Sequence, residues 1–460
     1  MRHFAWQWLA ASSLLLAAFS AIYTSAETRP QYGGTLRIAV RESIASLDPG
    51  DETQPDSFAR RNLLALIFET LVTVDDRGRV HPALATEWQA AAGDQRWQFW
   101  IRRGVKFHDG SELTPEIAAS ALRTANPSWK VFSEGEFVIV ERDQADADVP
   151  AELALTCNSI VKKNGGGKLS GTGPFHVEDW QAGKHLTLGA EENHWRGRAF
   201  VDVVDVEMGR NFREQALELE SGKIDLMEVA PEQSHRAAME GIRINGSQPM
   251  ELIALVFAKD TATADEKRMR LAMARSIERG SIRSALLQGT GQPAASLLPN
   301  WMSGYGFVFS TDTDLKQARQ AVQQVHGTQN WTLGYDANDS LERVLAERIA
   351  LNAKDAGLVL QPMAMSTADV RLVRIPLATA DPWIALENVA AALRIAMPKA
   401  NGDSAEDLYS AEQTLLKSAR VIPLFHLPVE WALSPVVKDW RPEADGSWRL
   451  DAVWMGKEKP

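Results

Sequence analysis

A single cysteine, Cys157, stands in 460 residues, so no internal disulfide can form and stability has to come from a packed core. Cys157 itself reads as a buried side chain. Catalytic signatures are missing too. There is no H-E-x-x-H for zinc, no G-x-S-x-G nucleophile turn, no G-x-x-x-x-G-K-[ST] phosphate loop and no C-x-x-C pair. The nine histidines are scattered without ligand spacing, so no enzyme, no metal site and no cofactor is expected. An excess of basic residues is absent as well. Lys and Arg number 49 against 60 Asp and Glu, a net charge of −11 that keeps the chain soluble and argues against nucleic acid as a partner.

What is present starts with the N-terminus. Arg2, the apolar stretch Leu9–Ile22 and the small residues Thr24-Ser25-Ala26 before Glu27 have the order of a cleaved secretory signal peptide over 1–26. The apolar stretch is short for a bilayer crossing. No cysteine lies near that boundary to carry a lipid, so the mature chain is expected to be a soluble periplasmic protein and not a lipoprotein. Cleavage removes only Arg2 among the charged residues and leaves a net charge of −12.

Further along, Leu36, Ile38 and Val40 alternate as in a strand, and Phe58, Leu63, Leu64, Ile67 and Leu71 recur at helical spacing. Thr114 before Pro115 marks a helix start, Arg96–Arg102 and Phe137–Glu141 read as strands, and Leu153–Val161 as a short helix. Lys162-Lys163-Asn164 and the three glycines after them read as a flexible linker into Ser170–Phe175, a shaped crossing that returns the chain to the sheet begun at Thr35. Helices are expected at Glu266–Ile277, Leu315–Val325, Leu341–Ala356 and Tyr409–Ala419, with strands at Asn330–Tyr335, Leu358–Met363 and Ile422–His426. This alternation is that of an α/β fold.

Five patches fall in order along the chain: Gly33-Gly34-Thr35-Leu36; Leu84-Ala85 before Trp88; Arg102 to Gly110 with its Phe-His-Asp-Gly end; Gly171-Thr172-Gly173-Pro174-Phe175; and Asn193-His194-Trp195-Arg196-Gly197. Together with Ala216–Asp225, Arg268–Gly291 and Val421–Phe425 they resemble the solute-binding proteins of peptide, dipeptide and nickel ABC importers, family 5 of the extracellular solute-binding proteins. The likeness spans nearly the whole mature chain, in a shortened form with a trimmed satellite and a compressed stretch between Asp381 and Tyr409.

The resemblance implies a two-lobe, Venus-flytrap periplasmic binding protein with a small extra subdomain on the first lobe. The division expected is 27–80 and 170–258 for lobe I, 81–169 for the satellite, 259–430 for lobe II and 431–460 for a return to lobe I. It further implies a monomer that captures short peptides and delivers them to an ABC permease and ATPase complex. Two alternatives stay open: a non-peptide solute such as a metal chelate, heme or sugar, or a periplasmic sensor or interaction protein without a transport role.

By the same resemblance Asp381, in Ala380-Asp381-Pro382, is the candidate carboxylate for a peptide ammonium, or else an ordinary turn residue. Trp383 beside it either stacks on the ligand or belongs to the core. Ser46, after the first strand, lies at the hinge side of a cleft or in a surface loop. Trp301 and Tyr305 face the cleft or a structural loop. Arg374 meets a ligand carboxylate or is a surface charge, and His108 is read as structural.

Overall fold

Leu36 and Ile38 are fully buried in the strand Thr35–Ala39 of the computed structural model, which describes residues 29–325, 330–398, 402 and 404–456. The expected signal segment 1–26 lies outside the described residues. Thr35–Ala39 pairs in parallel with Val203–Glu207 on one side and with Leu226–Glu228 on the other. Phe175–Gln181 and His185–Ala190 extend the sheet antiparallel beyond Val203–Glu207, so the chain does return after residue 170 to the sheet it began. The helix Phe58–Ile67, capped by the Ser57 side chain, buries Leu63, Leu64 and Ile67 against this sheet.

Two glycines make the return possible. A Cβ on Gly171 would lie 1.9 Å from the Ile67 carbonyl oxygen, and one on Gly173 would lie 2.4 Å from that of Leu66. Gly173 N instead donates to Ile67 O at 2.9 Å, giving a partner to a carbonyl left over at the helix end. His108 secures the same segment from the satellite: its backbone N donates to Gly171 O at 2.9 Å and its ring Nε2 lies 3.0 Å from Gly173 O. The structural reading of His108 therefore has a direct physical cause.

The satellite is a four-stranded antiparallel sheet in the spatial order Ala85–Ala90, Arg96–Ile101, Phe137–Glu141, Lys130–Glu134. The helix Pro115–Ala125, capped by Thr114, buries Ala118, Ala119 and Leu122 in the core shared with that sheet. Three local expectations need correcting here. Leu153–Val161 is not one helix: a short turn of helix occupies Val149–Glu152, where Pro150 favours a helix start, and a 3₁₀ turn follows at Thr156–Asn158. Lys162-Lys163 does not open a flexible linker, because it pairs with Leu169-Ser170 in a small hairpin, held by Lys162 to Asp109 and Lys163 to Asp48. Cys157 is exposed, not buried.

Two long strands carry the chain between the lobes. Arg243–Phe257 and Val421–Leu433 run antiparallel to each other. At one end Arg243–Asn245 and Leu226–Glu228 flank Trp431–Leu433 in the first lobe, and at the other Glu251–Phe257 pairs with Val370–Pro376 in the second. Their mutual register shifts around Pro249, which faces Pro428. Proline has no N–H to give, so the ladder weakens where the two prolines meet, between the lobes. One eleven-stranded sheet results, continuing through Asn330–Gly334 to Val359–Met363.

In the second lobe that sheet is covered on both faces. Ile253, Leu255 and Phe257 pack with the helices Ala264–Ser276, Leu315–Gln323 and Ser340–Asp355. The alternate residues Leu252, Ala254 and Val256 pack with Pro382–Ala392 and Ala405–Leu416. This period-two split is what a strand buried on both sides requires. Met250, ahead of the expected boundary at Lys259, also packs in this core. The helix expected at Tyr409–Ala419 begins four residues sooner, because Ser404 and Asp407 form a capping box there. The C-terminal segment returns to the first lobe, where Trp431 meets Trp440 and Trp448 edge to face.

Candidate ligand-binding cleft

Where the two long strands leave one lobe for the other, a cavity of ≈ 670 Å³ opens beside Pro428, Val429 and Glu430. The first lobe supplies Arg41 and Glu42 from the end of the first strand, Ser57 and Phe58 from the start of a helix, and Glu228. The second supplies Glu251, Asp339, Glu342, Arg374 and Pro376. A cavity walled by both lobes changes shape whenever the lobes move, which a hollow within one lobe does not.

Arg374 organises the second-lobe wall. Its guanidinium bonds Glu251 through Nε at 3.0 Å and Nη2 at 2.5 Å, and Asp339 through Nη1 at 2.8 Å. These side chains are 18%, 15% and 9% exposed, so the three charges are mutually neutralised where water reaches them poorly. Burial opposes the charge on Arg374, but Glu251 and then Asp339 outweigh it and raise its pKa. Burial likewise works against the Asp339 carboxylate, and Arg374 reverses that to hold it below the usual range. Arg41 approaches the same Asp339 from the first lobe at 3.5 Å, and its backbone N donates to Glu228 at 2.6 Å.

A second bridge lies beside the cavity. Arg61, on the first-lobe helix, donates to Leu377 O at 2.6 Å and to Pro376 O at 3.4 Å, and also pairs with Asp56. Beyond it a smaller hollow of ≈ 260 Å³, sharing Phe58 with the first, lies among that helix, Ala378 and Thr379 of the second lobe, and Gly446 to Leu450. Both hollows therefore border the segment Pro376–Thr379, whose carbonyls Arg61 now occupies.

Of the six residues expected at a site, Arg374 lines the interlobe cavity. Its fork is filled by two carboxylates, so a ligand carboxylate would have to displace one of them. Asp381 is the N-cap of the helix Pro382–Ala392, with Oδ1 accepting from Trp383 N and Ile384 N at 3.0 Å each. Through Oδ1 its carboxylate satisfies the helix end, and the residue lines neither hollow. Trp383 is in the second-lobe core. Trp301 packs against that core and donates through Nε1 to Pro249 O at 2.9 Å. Tyr305 packs there too, between Phe309 and Tyr409, bordering only a shallow surface hollow. Ser46 accepts from Asp48 N at 3.2 Å within its own loop and is away from the cavity.

The residues that do line the cavity were missed for a physical reason. Glu42, Glu228, Glu251 and Asp339 belong to four separate segments, and no spacing in the chain connects them. A signal existed only at Glu251, a charged residue within the apolar run Met250–Phe257.

Comparison with known proteins agrees with this architecture. The family model described as bacterial extracellular solute-binding proteins, family 5 Middle, matches residues 79–375. The chain belongs to this solute-binding family. Among curated relatives, the uncharacterized protein YhjP of Bacillus subtilis (strain 168) is 32% identical over 206 residues, 42% of this chain and 34% of YhjP. The oligopeptide-binding protein AppA of the same organism is 22% identical over 296 residues, 58% of this chain and 54% of AppA. These two alignments thus span about a third and about half of the relatives' own lengths. Among solved structures, the ABC transporter-associated periplasmic binding protein DppA from Helicobacter pylori, in complex with the peptide STSA, superposes with a TM-score of 0.78 at 18% identity. That match covers 93% of this chain and 99% of DppA. The fold is accordingly the two-lobe periplasmic binding protein fold, with the satellite on the first lobe.

Proposed function

We propose that this family member binds short peptides in its interlobe cleft outside the cytoplasm and presents the closed form to an ABC permease and its ATPase. The observation that carries this reading is the cavity of ≈ 670 Å³ walled by both lobes at the paired proline break of their two connecting strands. A ligand contacting both walls favours the closed arrangement by its extra affinity for it, which gives a permease two distinguishable forms to read. Support for a peptide comes from the relatives, since AppA is named as oligopeptide-binding and DppA holds a tetrapeptide. Support for a role in binding and not catalysis is the family itself. Among the described residues no helix is long and apolar enough to cross a membrane.

A thermal-shift series with the chain from Glu27 onward tests the proposal. A peptide present at a hundred times its Kd stabilises the folded form by about 2.7 kcal/mol and raises the melting temperature. Pools of di- to pentapeptides that leave the melting temperature unchanged, alongside a sugar or metal chelate that raises it, would remove the peptide part of the reading.

A further inference from the structure

The cavity between the lobes is electrically one-sided. Eight carboxylates line it against three arginines, Arg41, Arg210 and Arg374. Those arginines already have partners: Arg374 holds Glu251 and Asp339, Arg41 holds Asp339, and Arg210 holds Glu207 at 3.1 Å. Glu42, Glu228, Asp336, Glu342 and Glu430 are left with no ion pair among the described residues. They come from both lobes. Glu430, a partly buried side chain, adds a further sign: the Ser234 hydroxyl reaches its carboxylate, yet Oε2 is shielded from solvent and has no hydrogen-bond partner among the described residues.

We infer that the cleft takes a cationic ligand, a short peptide bearing a lysine or arginine side chain, whose ammonium or guanidinium group settles among Glu42, Glu228 and Glu430. The inference rests on the reading of this cleft as the ligand site and adds the charge of what it holds. Closing two lobes over unpaired carboxylates strips their water, which is costly unless a cation or a proton accompanies them. The groups show that cost in the empty cleft. Burial, with repulsion from Glu228 next, pushes Glu42 up to about 7, and burial raises Glu228 and Glu430 as well. Neutral donors already reach Glu42 from the Ser57 hydroxyl and Glu228 from Arg41 N, and an ammonium supplied by the ligand gives these carboxylates the ion pair that they lack among the described residues. A neutral or acidic peptide of the same length has only its N-terminal ammonium to offer them, where a lysine or arginine peptide brings a second cation.

Isothermal titration at low salt decides this, using Ala-Lys-Ala, Ala-Ala-Ala and Ala-Glu-Ala as peptides and spermidine as a cation that is not a peptide. Ala-Lys-Ala is expected to bind at least tenfold tighter than Ala-Ala-Ala, a difference of about 1.4 kcal/mol, with Ala-Glu-Ala weakest. Glu42→Gln and Glu430→Gln should narrow that ratio by weakening Ala-Lys-Ala more than Ala-Ala-Ala, because Gln keeps the shape and loses the charge. Equal or tighter binding of Ala-Ala-Ala or Ala-Glu-Ala overturns the cationic inference and leaves the peptide reading standing. Binding of spermidine with silence from all three peptides supports the cationic class and removes the peptide reading. Silence from all four ligands sinks both. Should a variant unfold, the ranking on the native chain decides alone.

Discussion

Glu412 and the cleft glutamates are the same residue type, removed from water in the same chain and put to opposite uses. Glu412 is 0% exposed inside the second lobe, and its Oε1 accepts from the backbone N of Leu298 at 3.2 Å and from that of Leu297. It ties the helix Ala405–Leu416 to the loop before Pro299. Glu42 and Glu430 are less deeply placed, yet they face a cavity and form no ion pair among the described residues. A carboxylate that meets two amide donors is structural. One held away from water without a cation is waiting for something outside the chain. The contrast separates the frame of this protein from its site more cleanly than burial does, since burial pushes both Glu412 and Glu42 up to about 7.

Arg374 tests the boundary between the two uses, and the largest effect is expected there. It lines the cavity but is neutralised within the protein, so it should behave as frame. Arg374→Met leaves Glu251 without a cation and Asp339 with only the half-exposed Arg41, and a loss of about 3–5 kcal/mol in chemical denaturation of the ligand-free chain is expected. A variant with unchanged stability would move Arg374 to the ligand's side of the comparison. Glu412→Met comes next. It keeps the volume and takes the acceptor from two buried amides, for a loss of about 2–4 kcal/mol. Peptide affinity measured well below the melting temperature should not change, and an altered affinity would join Glu412 to the site.

Much of the frame was legible because its elements announce themselves locally. Thr114-Pro115 starts a helix wherever it occurs with an apolar face behind it, and Leu36, Ile38 and Val40 alternate because one sheet face is buried. Gly171 and Gly173 marked a shaped crossing, while the close approach to the end of the helix Phe58–Ile67 that requires them emerges only in the fold. The strand Arg243–Phe257 was missed because its first half, through Gly246 and Pro249, lacks the alternation that burial imposes on its second half. The cleft was illegible for a different reason. Aromatic residues drew attention as walls, yet Tyr305 and Trp383 joined, and Trp301 packed against, the core beneath the helices Pro382–Ala392 and Ala405–Leu416. Asp381 drew attention as a charge before proline, and that is also how a helix N-cap reads. Charges that converge from Arg41, Glu228, Asp339 and Arg374 depend on how four strands and loops are brought together by the sheet order.

The smallest effect is expected at the pair that joins the two lobes directly. Arg41 reaches Asp339 at 3.5 Å from the other side of the cleft and is 37% exposed, so salt and solvent weaken the contact. Such a pair contributes about 1 kcal/mol at most, equivalent to about a fivefold shift between open and closed forms. Arg41→Gln should therefore leave denaturation unchanged and lower ligand affinity by less than that factor, with a slightly larger radius of gyration for the empty chain in X-ray scattering. Salt provides an internal control. Near 1 M the Debye length falls to about 3 Å, so the native chain and Arg41→Gln should then become indistinguishable. If Arg41→Gln binds a lysine peptide more tightly than the native chain, the arginine and the ligand compete for Asp339. The resident cation would then belong to the site, and the division between neutralised frame and waiting carboxylates would have to be redrawn at Asp339.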